Sequence, residues 1–410
     1  MIVVIGGGFG GLEAVRALAD ADVSIVLIDR KNHHCFQPLL YQVATASLSP
    51  ADIAWPIRSI LSDQRNVTVI MAEVEGVDSA AGVVKTSEGG VFPFDYLVIA
   101  TGATHSYFGH PEWEQFAPGL KTIEDATRIR TRILSCFESA ERAPDEASRQ
   151  QAMTFVIVGG GPTGVELAGS VADIAHNVLA KDFRRIDPRS ARIVLVEAGE
   201  RLLGPFPQSL SRYTSTALER MGVEVFTSTA VASCDASGVR LSDGGRIETC
   251  CVVWAAGVRA TPAAAWIGAA ADRGGRLEVD EFLRVPSFNN VFAIGDVAAA
   301  SSGGQIVPGL APAAKQMGRY VGGYIAADIS KASRQPRRFV YRHQGDLATI
   351  GRKSAVVALN KFRLRGLAGW VFWSLVHIYF LIGVRNRLAV AINWLWEYLT
   401  FQRGARLISK

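Results

Sequence analysis

The strongest constraint on this fold is a glycine-rich turn between a buried strand and a helix. Its first copy begins at residue 2, where the β-branched run IVVI leads into Gly6-x-Gly8-x-x-Gly11 and a predicted helix, LEAVRALADA. The next strand, VSIVLIDR, ends at Asp29. In such a unit the glycines permit a tight turn, close approach of a pyrophosphate and helix–strand packing, while the acid binds a ribose hydroxyl. The pattern predicts a dinucleotide-binding site.

The same turn recurs in TFVIVGGGPTGVELAG, with Gly159, Gly161 and Gly164 at matching positions. The next strand, ARIVLVEAG, carries Glu197 at its end. This acid lies further along the chain than the usual ~20 residues, so an extended helix or loop is expected before it. A carboxylate here repels a ribose phosphate and favours NADH over NADPH, although Arg201 nearby leaves partial NADPH use open.

Two dinucleotide sites in one chain indicate hydride transfer between two cofactors, most economically from a nicotinamide to a flavin. The segment NNVFAIGDVA, with Gly295 and Asp296, resembles the one that closes the FAD site in the two-dinucleotide flavoprotein reductases. YLVIATGA and CVVWAAGV resemble the strands that lead back from each nucleotide domain in that superfamily. The resemblance implies FAD in the N-terminal site and NAD(P)H in the internal one.

The predicted fold class is α/β, with two Rossmann-like dinucleotide-binding domains and a C-terminal membrane-associating helical module. The FAD domain is split by the inserted NADH domain. The predicted bounds are 1–112 and 273–334 for the FAD domain, 113–272 for the NADH domain and 335–410 for the C-terminal module. The polar stretch ERAPDEASRQQ (141–151) is interpreted as a linker.

The cysteines restrict the electron acceptor. They stand at positions 35, 136, 234, 250 and 251, in no CxxC or other metal-ligand spacing, which favours a reducing compartment and predicts no metal site. The CxxxxC pair of the disulfide reductases is missing. Cys35 is the one candidate for single-cysteine redox chemistry, and small-residue packing is the alternative. Sulfide-oxidising quinone reductases need a cysteine late in the chain, whereas the last one here is Cys251.

A closer resemblance joins these features. HHCFQPLLYQVAT (33–45), FVIVGGGPTGVELAG, FAIGDVA, GDLATIGRKSAV (345–356) and the apolar C-terminal segment all resemble type II NADH dehydrogenases, and the likeness runs essentially end to end. These are single-subunit, non-pumping NADH:quinone oxidoreductases. The resemblance implies an enzyme that passes a hydride from NADH to FAD and then two electrons to a membrane quinone.

The resemblance also implies site residues. Phe36, Gln37, Pro38 and Gln42 would line the flavin. The other residues predicted to bind FAD are Gly6, Gly8, Phe9, Gly10, Gly11, Asp29, Arg30, Ala100, Thr101, Gly102, Asp296 and Val297. Those predicted to bind NADH are Gly159, Gly161, Pro162, Thr163, Gly164, Glu197, Ala256 and Gly257.

Three further residues are predicted to take part in catalysis. In the family, Glu166 would lie between nicotinamide and flavin and influence the quinone site; the alternative is a first-turn acid stabilised by the helix dipole. The quinone motif A-Q-x-A-x-Q is present with one departure, Pro312 in place of the first glutamine. Gln316 is retained, and Lys315 is a candidate to supply the missing polar contact.

The C-terminal tail is basic and apolar. Residues 361–410 contain eight Lys or Arg and one acid, against a net charge of +5 for the whole chain. A stretch of 19 residues, 366–384, has no charged side chain, with arginines on both sides. Three interpretations stay open: helices in the membrane interface, a membrane span, and a buried core or dimer seam. No nucleic-acid motif accompanies the charge.

The segment that follows has two distinct helix faces. Asn386, Asn393, Glu397 and Thr400 fall on one face, and Leu388, Ile392, Leu395 and Leu399 fall on the other. We therefore predict a peripheral protein on the inner face of the cytoplasmic membrane, bound through residues 361–403. A homodimer is left open. The alternative functions are a soluble-acceptor NADH oxidase or diaphorase and an NADH-sensing flavoprotein with slow turnover.

Overall fold

A computed structural model describes residues 1–331, 337–400 and 404–408. The chain forms two compact units. The first contains Met1–Cys35, Ala54–Thr104 and Val258–Gln344, and the second contains Phe36–Ile53, His105–Gly257 and Gly345–Lys410. The domain bounds expected from the sequence stay predictions. The predicted boundary at 334 and the last residues of the predicted membrane-binding stretch 361–403 lie outside the described residues.

The first unit is built on a parallel sheet of five strands. Its central strand, Ile2–Ile5, is fully buried and pairs on one side with Ile25–Asp29 and on the other with Tyr96–Ile99. β-branched residues suit a strand covered on both faces. In sheet order the strands are Val67–Met71, Ile25–Asp29, Ile2–Ile5, Tyr96–Ile99 and Val291–Ala293.

The remaining elements of the first unit are short, apart from one long helix, Ala311–Ile329. Three strands, Val74–Asp78, Val83–Thr86 and Val91–Pro93, form an antiparallel sheet. The paired short strands are His33–Cys35 with Ala54–Pro56, Leu277–Glu278 with Ala298–Ala299, and Ser301–Ser302 with Gln305–Ile306. The other helices are Phe9–Ala17, Ile57–Ile60, Ala263–Ile267 and the 3₁₀ turn Gly295–Val297. Two further strands, Ala103–His105 and Val258–Ala260, lie where the units meet in sequence.

The second unit repeats this plan. Four parallel strands stand in the order Val223–Phe226, Arg192–Val196, Thr154–Val158 and Cys251–Trp254. An antiparallel sheet of Val231–Asp235, Gly238–Leu241 and Arg246–Glu248 accompanies them. Two Rossmann-like domains were expected from the repeated glycine turn, and this prediction is confirmed.

Helices surround the second sheet. They are Leu40–Ala44, Pro50–Ile53, Ile123–Arg142, Glu146–Ala152, Pro162–Asp173 and Gln208–Arg220, with 3₁₀ turns at Gln37–Leu39, Pro111–Gln115 and Pro188–Ser190. Pro162–Asp173 continues into a π-helix, Ile174–Val178, so the predicted extension before Glu197 is confirmed. The interpretation of 141–151 as a linker is wrong, because Asp145 caps the helix Glu146–Ala152 by accepting the Ser148 N–H at 2.8 Å.

The C-terminal segment begins with a sheet that the sequence analysis missed. Asp346–Gly351, Ser354–Leu359 and Phe362–Arg365 form three antiparallel strands, followed by the helices Gly366–Phe380 and Val384–Thr400. Within the described ranges 1–331, 337–400 and 404–408, no helix combines the length and apolar character needed to cross a membrane.

Candidate functional site

The first glycine turn, here called the first cradle (residues 6–11), is closely packed at its ends and open in the middle. Gly6 has a φ of +103°, and a Cβ there would lie 2.4 Å from the Ala100 carbonyl oxygen. A Cβ on Gly11 would lie 1.8 Å from the Gly6 carbonyl oxygen. A Cβ on Gly8 would meet nothing within 4 Å. The backbone at the start of the helix Phe9–Ala17 is therefore accessible to a ligand.

Asp29 braces this cradle. Its carboxylate oxygens accept the Gly7 N–H at 2.6 Å and the Lys31 N–H at 2.7 Å. Burial raises the pKa of the Asp29 carboxyl, while these two backbone bonds oppose the shift. The acid predicted to bind a ribose thus sits directly behind the cradle.

The second cradle (residues 159–164) has the same geometry. Gly159 has a φ of +109°, and a Cβ on it would lie 2.6 Å from the Ala255 carbonyl oxygen. A Cβ on Gly164 would lie 1.8 Å from the Gly159 carbonyl oxygen, whereas one on Gly161 would meet nothing within 4 Å. Pro162 occupies the first turn of the following helix, where its fixed φ fits and no N–H is needed.

Glu197 braces the second cradle as Asp29 braces the first. It accepts the Gly160 N–H at 2.5 Å and the Gly199 N–H at 2.6 Å. The guanidinium group of Arg201 donates to the carbonyl oxygens of Phe206 at 2.8 Å and Gly204 at 2.5 Å. Arg201 therefore has backbone partners in its own loop.

The strands leading back to each cradle also match the prediction. After Tyr96–Ile99, the Thr101 hydroxyl lies 2.5 Å from that of Thr261, and Gly102 has a φ of +71°. After Cys251–Trp254, the Gly257 carbonyl oxygen accepts the Ser106 N–H at 3.1 Å. Ala256 contributes to the same close packing, since its Cα would lie 2.6 Å from a Cβ on Gly159.

The segment Gly295–Val297 forms its 3₁₀ turn within the first unit. Gly295 has a φ of +74°, and its N–H lies 3.1 Å from the Met317 sulfur. The Asp296 carboxylate faces Gly309, where a Cβ would lie 3.2 Å from Oδ1. The Val297 side chain is fully buried in the core of this unit. Any contact of Val297 with a cofactor would therefore go through its backbone.

A basic and aromatic group lies beside the first cradle. His34 Nδ1 is 3.1 Å from the Gly7 carbonyl oxygen, and burial lowers the His34 pKa to about 4. Among the described residues, His34 Nε2 is buried without a hydrogen-bond partner. The Lys315 Nζ lies 5.6 Å from the centre of the Phe9 ring, and burial lowers the Lys315 pKa. The sequence analysis did not select His34.

Gln316 is engaged in the first unit. Its amide nitrogen donates to the Arg342 carbonyl oxygen at 2.9 Å, and its amide oxygen accepts the Arg342 N–H at 2.9 Å. The amide nitrogen has a second N–H and the amide oxygen a second lone pair, so these two bonds orient the side chain and leave positions for a further contact. The roles of Gln316 and Lys315 stay predictions.

Glu166 lies in the second unit, one turn into the helix Pro162–Asp173. Only 8 % of the residue is exposed, and its Oε1 accepts the Thr349 N–H at 3.4 Å. Burial raises the Glu166 pKa to about 8, against the smaller opposing effect of that bond. The carboxyl therefore changes its charge close to neutral pH, unlike an ordinary solvated helix acid.

The segment predicted to line the flavin lies in the second unit and contacts the C-terminal helices. The Gln42 amide oxygen accepts the Trp394 indole N–H at 2.7 Å, and the Gln42 amide nitrogen donates to the Tyr41 hydroxyl at 2.8 Å. The Phe36 and His377 rings are 6.2 Å apart, edge to face. The Gln37 amide nitrogen donates to the Lys121 carbonyl oxygen at 3.4 Å. The flavin contacts of this segment stay predictions.

The C-terminal helices turn their polar face inward. Asn386 is buried, and the Ser47 hydroxyl donates to Glu397 at 2.5 Å. The apolar face is exposed: 55–68 % of Leu367, Leu375 and Tyr379 is accessible on one helix. On the other helix, 59–69 % is accessible at Val384, Leu388, Ile392, Leu395 and Leu399. This is the reverse of the arrangement in a water-soluble helix.

Comparison with known proteins agrees with this architecture. The family model for pyridine nucleotide-disulphide oxidoreductases matches residues 1–318, and the model for the NDH2 C-terminal domain matches residues 343–403. The fold is similar to a solved structure of NDH2 from Plasmodium falciparum in complex with NADH, with a TM-score of 0.87 at 21 % identity, covering 100 % of this chain and 99 % of that one.

Curated relatives are closer in sequence. The chain is 40 % identical over 420 residues to the type II NADH:quinone oxidoreductase Ndh of Mycobacterium tuberculosis, covering 100 % of this chain and 90 % of the relative. It is 42 % identical over 424 residues to NdhA of the same organism, covering 100 % and 89 %. Identity of this extent, over cradles and C-terminal module alike, shows that the chain belongs to the type II NADH:quinone oxidoreductase family.

Proposed function

We propose that this protein oxidises NADH and reduces a membrane quinone through FAD, without pumping protons. The observation that carries the proposal is the presence of two equivalent cradles in a chain that resembles such oxidoreductases from end to end. FAD, when bound, supplies a carrier that takes a hydride from NADH and passes two electrons to a quinone. The protein binds and orients the two nucleotides.

The first cradle fits FAD. The space in front of Gly8 leaves backbone N–H groups available to a pyrophosphate, and a buried His34 Nε2 without a described partner suits a site for a polar cofactor. Asp29, whose carboxylate accepts the Gly7 N–H, is proposed to accept a ribose hydroxyl bond as well. We infer that the other residues predicted from the family, including Arg30, Gly10 and Gly102, complete this site.

The second cradle fits NADH. Its open position is Gly161, and the Glu197 carboxylate would accept a ribose hydroxyl bond while repelling a 2′-phosphate. Arg201 would not offset that repulsion, because its guanidinium group bonds to the carbonyl oxygens of Gly204 and Phe206. The proposal is therefore a preference for NADH, with Pro162, Thr163 and Gly257 beside the nucleotide.

Glu166 is proposed as the acid–base group of the reaction. Its pKa of about 8 allows it to hold a proton at neutral pH and to release one when a neighbouring charge changes. Quinone reduction by NADH consumes one proton beyond the hydride, so a group of this kind is needed. Gln316 is proposed to act at the quinone, as the family resemblance implies, and Lys315 is proposed to supply the polar contact that Pro312 cannot make.

Membrane contact is proposed through the C-terminal helices. Their exposed apolar faces, from Leu367 to Tyr379 and from Val384 to Leu399, would enter the headgroup region, and the nearby arginines suit anionic lipid. Quinones dissolve in lipid whereas NADH is dissolved in water, so an enzyme using both works at the boundary. We propose a peripheral position on the inner face of the cytoplasmic membrane. Homodimer formation remains a prediction.

Flavin spectroscopy tests the electron path. The purified protein should carry a yellow chromophore whose visible absorption is bleached by NADH and restored by a soluble ubiquinone or menaquinone analogue. Restoration by oxygen or a dye alone, with no response to either quinone, would favour the diaphorase alternative. Bleaching over many minutes would favour the NADH sensor.

Liposome flotation tests the membrane surface. The double change Leu388→Glu and Ile392→Glu places two charges on the exposed face, and we expect binding to anionic liposomes to fall more than tenfold. Val91→Glu is a matched control, because Val91 is 58 % exposed and lies in the first unit. Equal flotation of the double variant and the wild type would contradict the proposed surface.

A further inference from the structure

A line of polar residues follows one face of the helix that begins at the second cradle. Glu166, Ser170, Asp173 and Asn177 are spaced four, three and four residues apart, which places them on one side of the helix. The exposed fraction is 8 % for Glu166, 7 % for Ser170 and 5 % for Asp173, whereas Asn177 is exposed. Buried polar side chains carry a desolvation cost and call for an explanation.

The line is continuous at its outer end. The Asn177 amide donates to the Asp173 carboxylate at 2.9 Å, across the start of the π-helix Ile174–Val178. Extra-residue turns of this kind occur frequently at functional sites. The face therefore leads from solvent at Asn177 to a carboxylate one helical turn below Ser170.

A small cavity of about 70 Å³ adjoins this face. Ser170, Asp173, Thr349, Arg352 and Glu397 supply polar groups to its wall. A water molecule needs about 10–15 Å³ of such space and two to four polar partners, so the cavity has room for about five waters. It is too small for a quinone or nicotinamide ring and suits water.

Glu166 lies directly behind the cavity wall. Its carboxyl accepts the Thr349 N–H, and Thr349 lines the cavity. Because the carboxyl is buried and its pKa is about 8, it must gain and lose protons near neutral pH without touching bulk water. The charged or titratable groups around the cavity are Asp173 on the same helix, Arg352 after the adjoining strand, Glu397 and Tyr398 on the last helix, and Tyr41 on a short helix.

We propose that this face and the adjoining cavity form the proton-entry path from solvent to Glu166, with Asp173 and Ser170 as proton-relay residues. The inference rests on the proposed function. In NADH + H⁺ + quinone → NAD⁺ + quinol, the hydride brings two electrons and one proton, and the second proton comes from solvent. Each proton that Glu166 gives up is replaced through Asp173, the cavity waters and Ser170.

A comparison of two electron acceptors, quinone and ferricyanide, distinguishes an effect on proton delivery from an effect on electron transfer. Quinone reduction consumes a proton, whereas NADH + 2 ferricyanide → NAD⁺ + H⁺ + 2 ferrocyanide releases one. In the holoenzyme, Asp173→Asn keeps an oxygen that can accept the Asn177 bond but removes the carboxylate that would carry the proton. We expect the ratio of quinone to ferricyanide turnover to fall at least fivefold in Asp173→Asn and about twofold in Ser170→Ala. The solvent deuterium isotope effect on quinone turnover should increase in both.

The matched control is Glu219→Gln, an exposed acid on the helix Gln208–Arg220 of the same unit. Its turnover ratio should equal that of the wild type. If the wild type reduces ferricyanide but no quinone, the proposed function fails. If the wild type reduces quinone and Asp173→Asn has an unchanged ratio and isotope effect, the proton path fails.

Two further measurements do not depend on turnover ratios. The infrared carbonyl band of the protonated Glu166 carboxyl, identified by its loss in Glu166→Gln, should shift in D₂O more slowly in Asp173→Asn than in the wild type. In Asp173→Ala, added formate should restore quinone turnover by carrying protons in place of the lost carboxyl. Equal exchange rates and no response to formate would assign Asp173 a structural role and overturn the proposal.

Discussion

Glu13 and Glu166 occupy equivalent positions in the helices that follow the two cradles, seven residues after the first glycine of each, and their surroundings differ. Glu13 forms an ion pair with Arg319 at 3.0 Å, and the Arg319 side chain is 72 % exposed. Glu166 is buried, and its carboxyl accepts the Thr349 N–H. The glycine motif therefore determines the shape of the turn and not the charge state of the acid that follows it.

The difference arises from what packs on each cradle helix. In the first unit the long helix Ala311–Ile329 approaches so closely that a Cβ on Gly318 would lie 2.1 Å from the Gly10 carbonyl oxygen. In the second unit the strand Asp346–Gly351 lies there instead, and a Cβ on Gly169 would lie 2.1 Å from the Ile350 carbonyl oxygen. In the first unit the helix brings an exposed arginine to a carboxylate whose side chain is 15 % exposed, whereas in the second unit the strand places a backbone N–H against a desolvated carboxyl.

The largest expected effect concerns the open glycines. Gly8→Ala and Gly161→Ala add a methyl group that meets nothing in the protein but occupies the space in front of each helix N-terminus. We expect Gly161→Ala to retain FAD and to bind NADH at least a hundredfold more weakly, and Gly8→Ala to be purified without FAD. Flavin absorption and an NADH titration measure these outcomes.

The control for this pair is Gly323→Ala, in the helix Ala311–Ile329, where a Cβ likewise meets nothing within 4 Å. It should bind both nucleotides like the wild type. If Gly8→Ala lost NADH and kept FAD, the assignment of the two cradles would be reversed.

The second effect is a pH-dependent difference in stability between Glu166→Gln and Glu13→Gln. The folded-state pKa of Glu166, about 8, exceeds the ~4.5 of an unfolded glutamate, so the native protein binds more protons between these values and loses stability as pH rises through them. Glu166→Gln should match the wild type near pH 5 and exceed its free energy of unfolding at pH 9 by on the order of 3–5 kcal/mol.

Melting temperatures between pH 5 and 9 check this prediction. The Glu13→Gln variant loses an ion pair with an exposed arginine, worth at most ~1 kcal/mol, and its offset from the wild type should stay constant over this range. A Glu166→Gln curve parallel to that of the wild type would mean that Glu166 is ionised at neutral pH.

The cradles were predictable because their geometry is local. The first and last glycines of each turn are required by a contact with a neighbouring strand or with the turn itself, such as Gly11 against the Gly6 carbonyl oxygen, so residue type and spacing identify them. Asp29 and Glu197 were selected for the same reason, as acids at the end of the next strand, and their ribose contacts stay predictions. Their carboxylates accept the Gly7 and Gly160 N–H groups, and this contact requires only that each acid follows the adjacent strand.

The packing of the strand Asp346–Gly351 against the helix of the second cradle was not predictable in the same way. Glu166 and Thr349 are far apart in sequence, so only tertiary structure shows that a carboxyl meets a backbone N–H there. The spacing of Ser170 and Asp173 after Glu166 was readable as one helix face, but it indicates a buried polar path only once the cavity is known. In the tail, the two faces of the last helix were readable and the predicted membrane contact implied an exposed apolar face, whereas partners of the polar face, such as Ser47 for Glu397, were not readable.

The third effect compares the two elements that pack on the cradle helices, the strand Asp346–Gly351 and the helix Ala311–Ile329. Gly169→Ala forces a methyl group onto the Ile350 carbonyl oxygen, and Gly318→Ala forces one onto the Gly10 carbonyl oxygen. Overpacking of this kind costs about 1–3 kcal/mol. Gly318→Ala should weaken FAD retention, and Gly169→Ala should leave FAD bound while making the C-terminal segment more sensitive to protease. Loss of FAD from both variants at equal rates would show that the packing on the second cradle helix affects FAD retention as much as the packing on the first.

The smallest expected effect concerns Glu197, the acid that accepts two backbone N–H bonds at the second cradle. Glu197→Gln removes the negative charge beside the proposed ribose site and leaves one of the two N–H groups, of Gly160 or Gly199, without its acceptor. The lost repulsion should raise the ratio of kcat/KM for NADPH to that for NADH about tenfold, or ~1.4 kcal/mol. Part of the activity with NADH should also fall, because the turn is less well held.

Arg201→Gln provides the matched comparison for that change. The Arg201 guanidinium group bonds to the carbonyl oxygens of Gly204 and Phe206, so it has no role in reading a 2′-phosphate if this loop keeps its shape. The variant should then keep the selectivity ratio of the wild type while its melting temperature falls slightly. A loss of residual NADPH activity in Arg201→Gln would instead show that the arginine leaves these carbonyls for the nucleotide, and discrimination at the second cradle would then depend on a moving cation as well as on a fixed carboxylate.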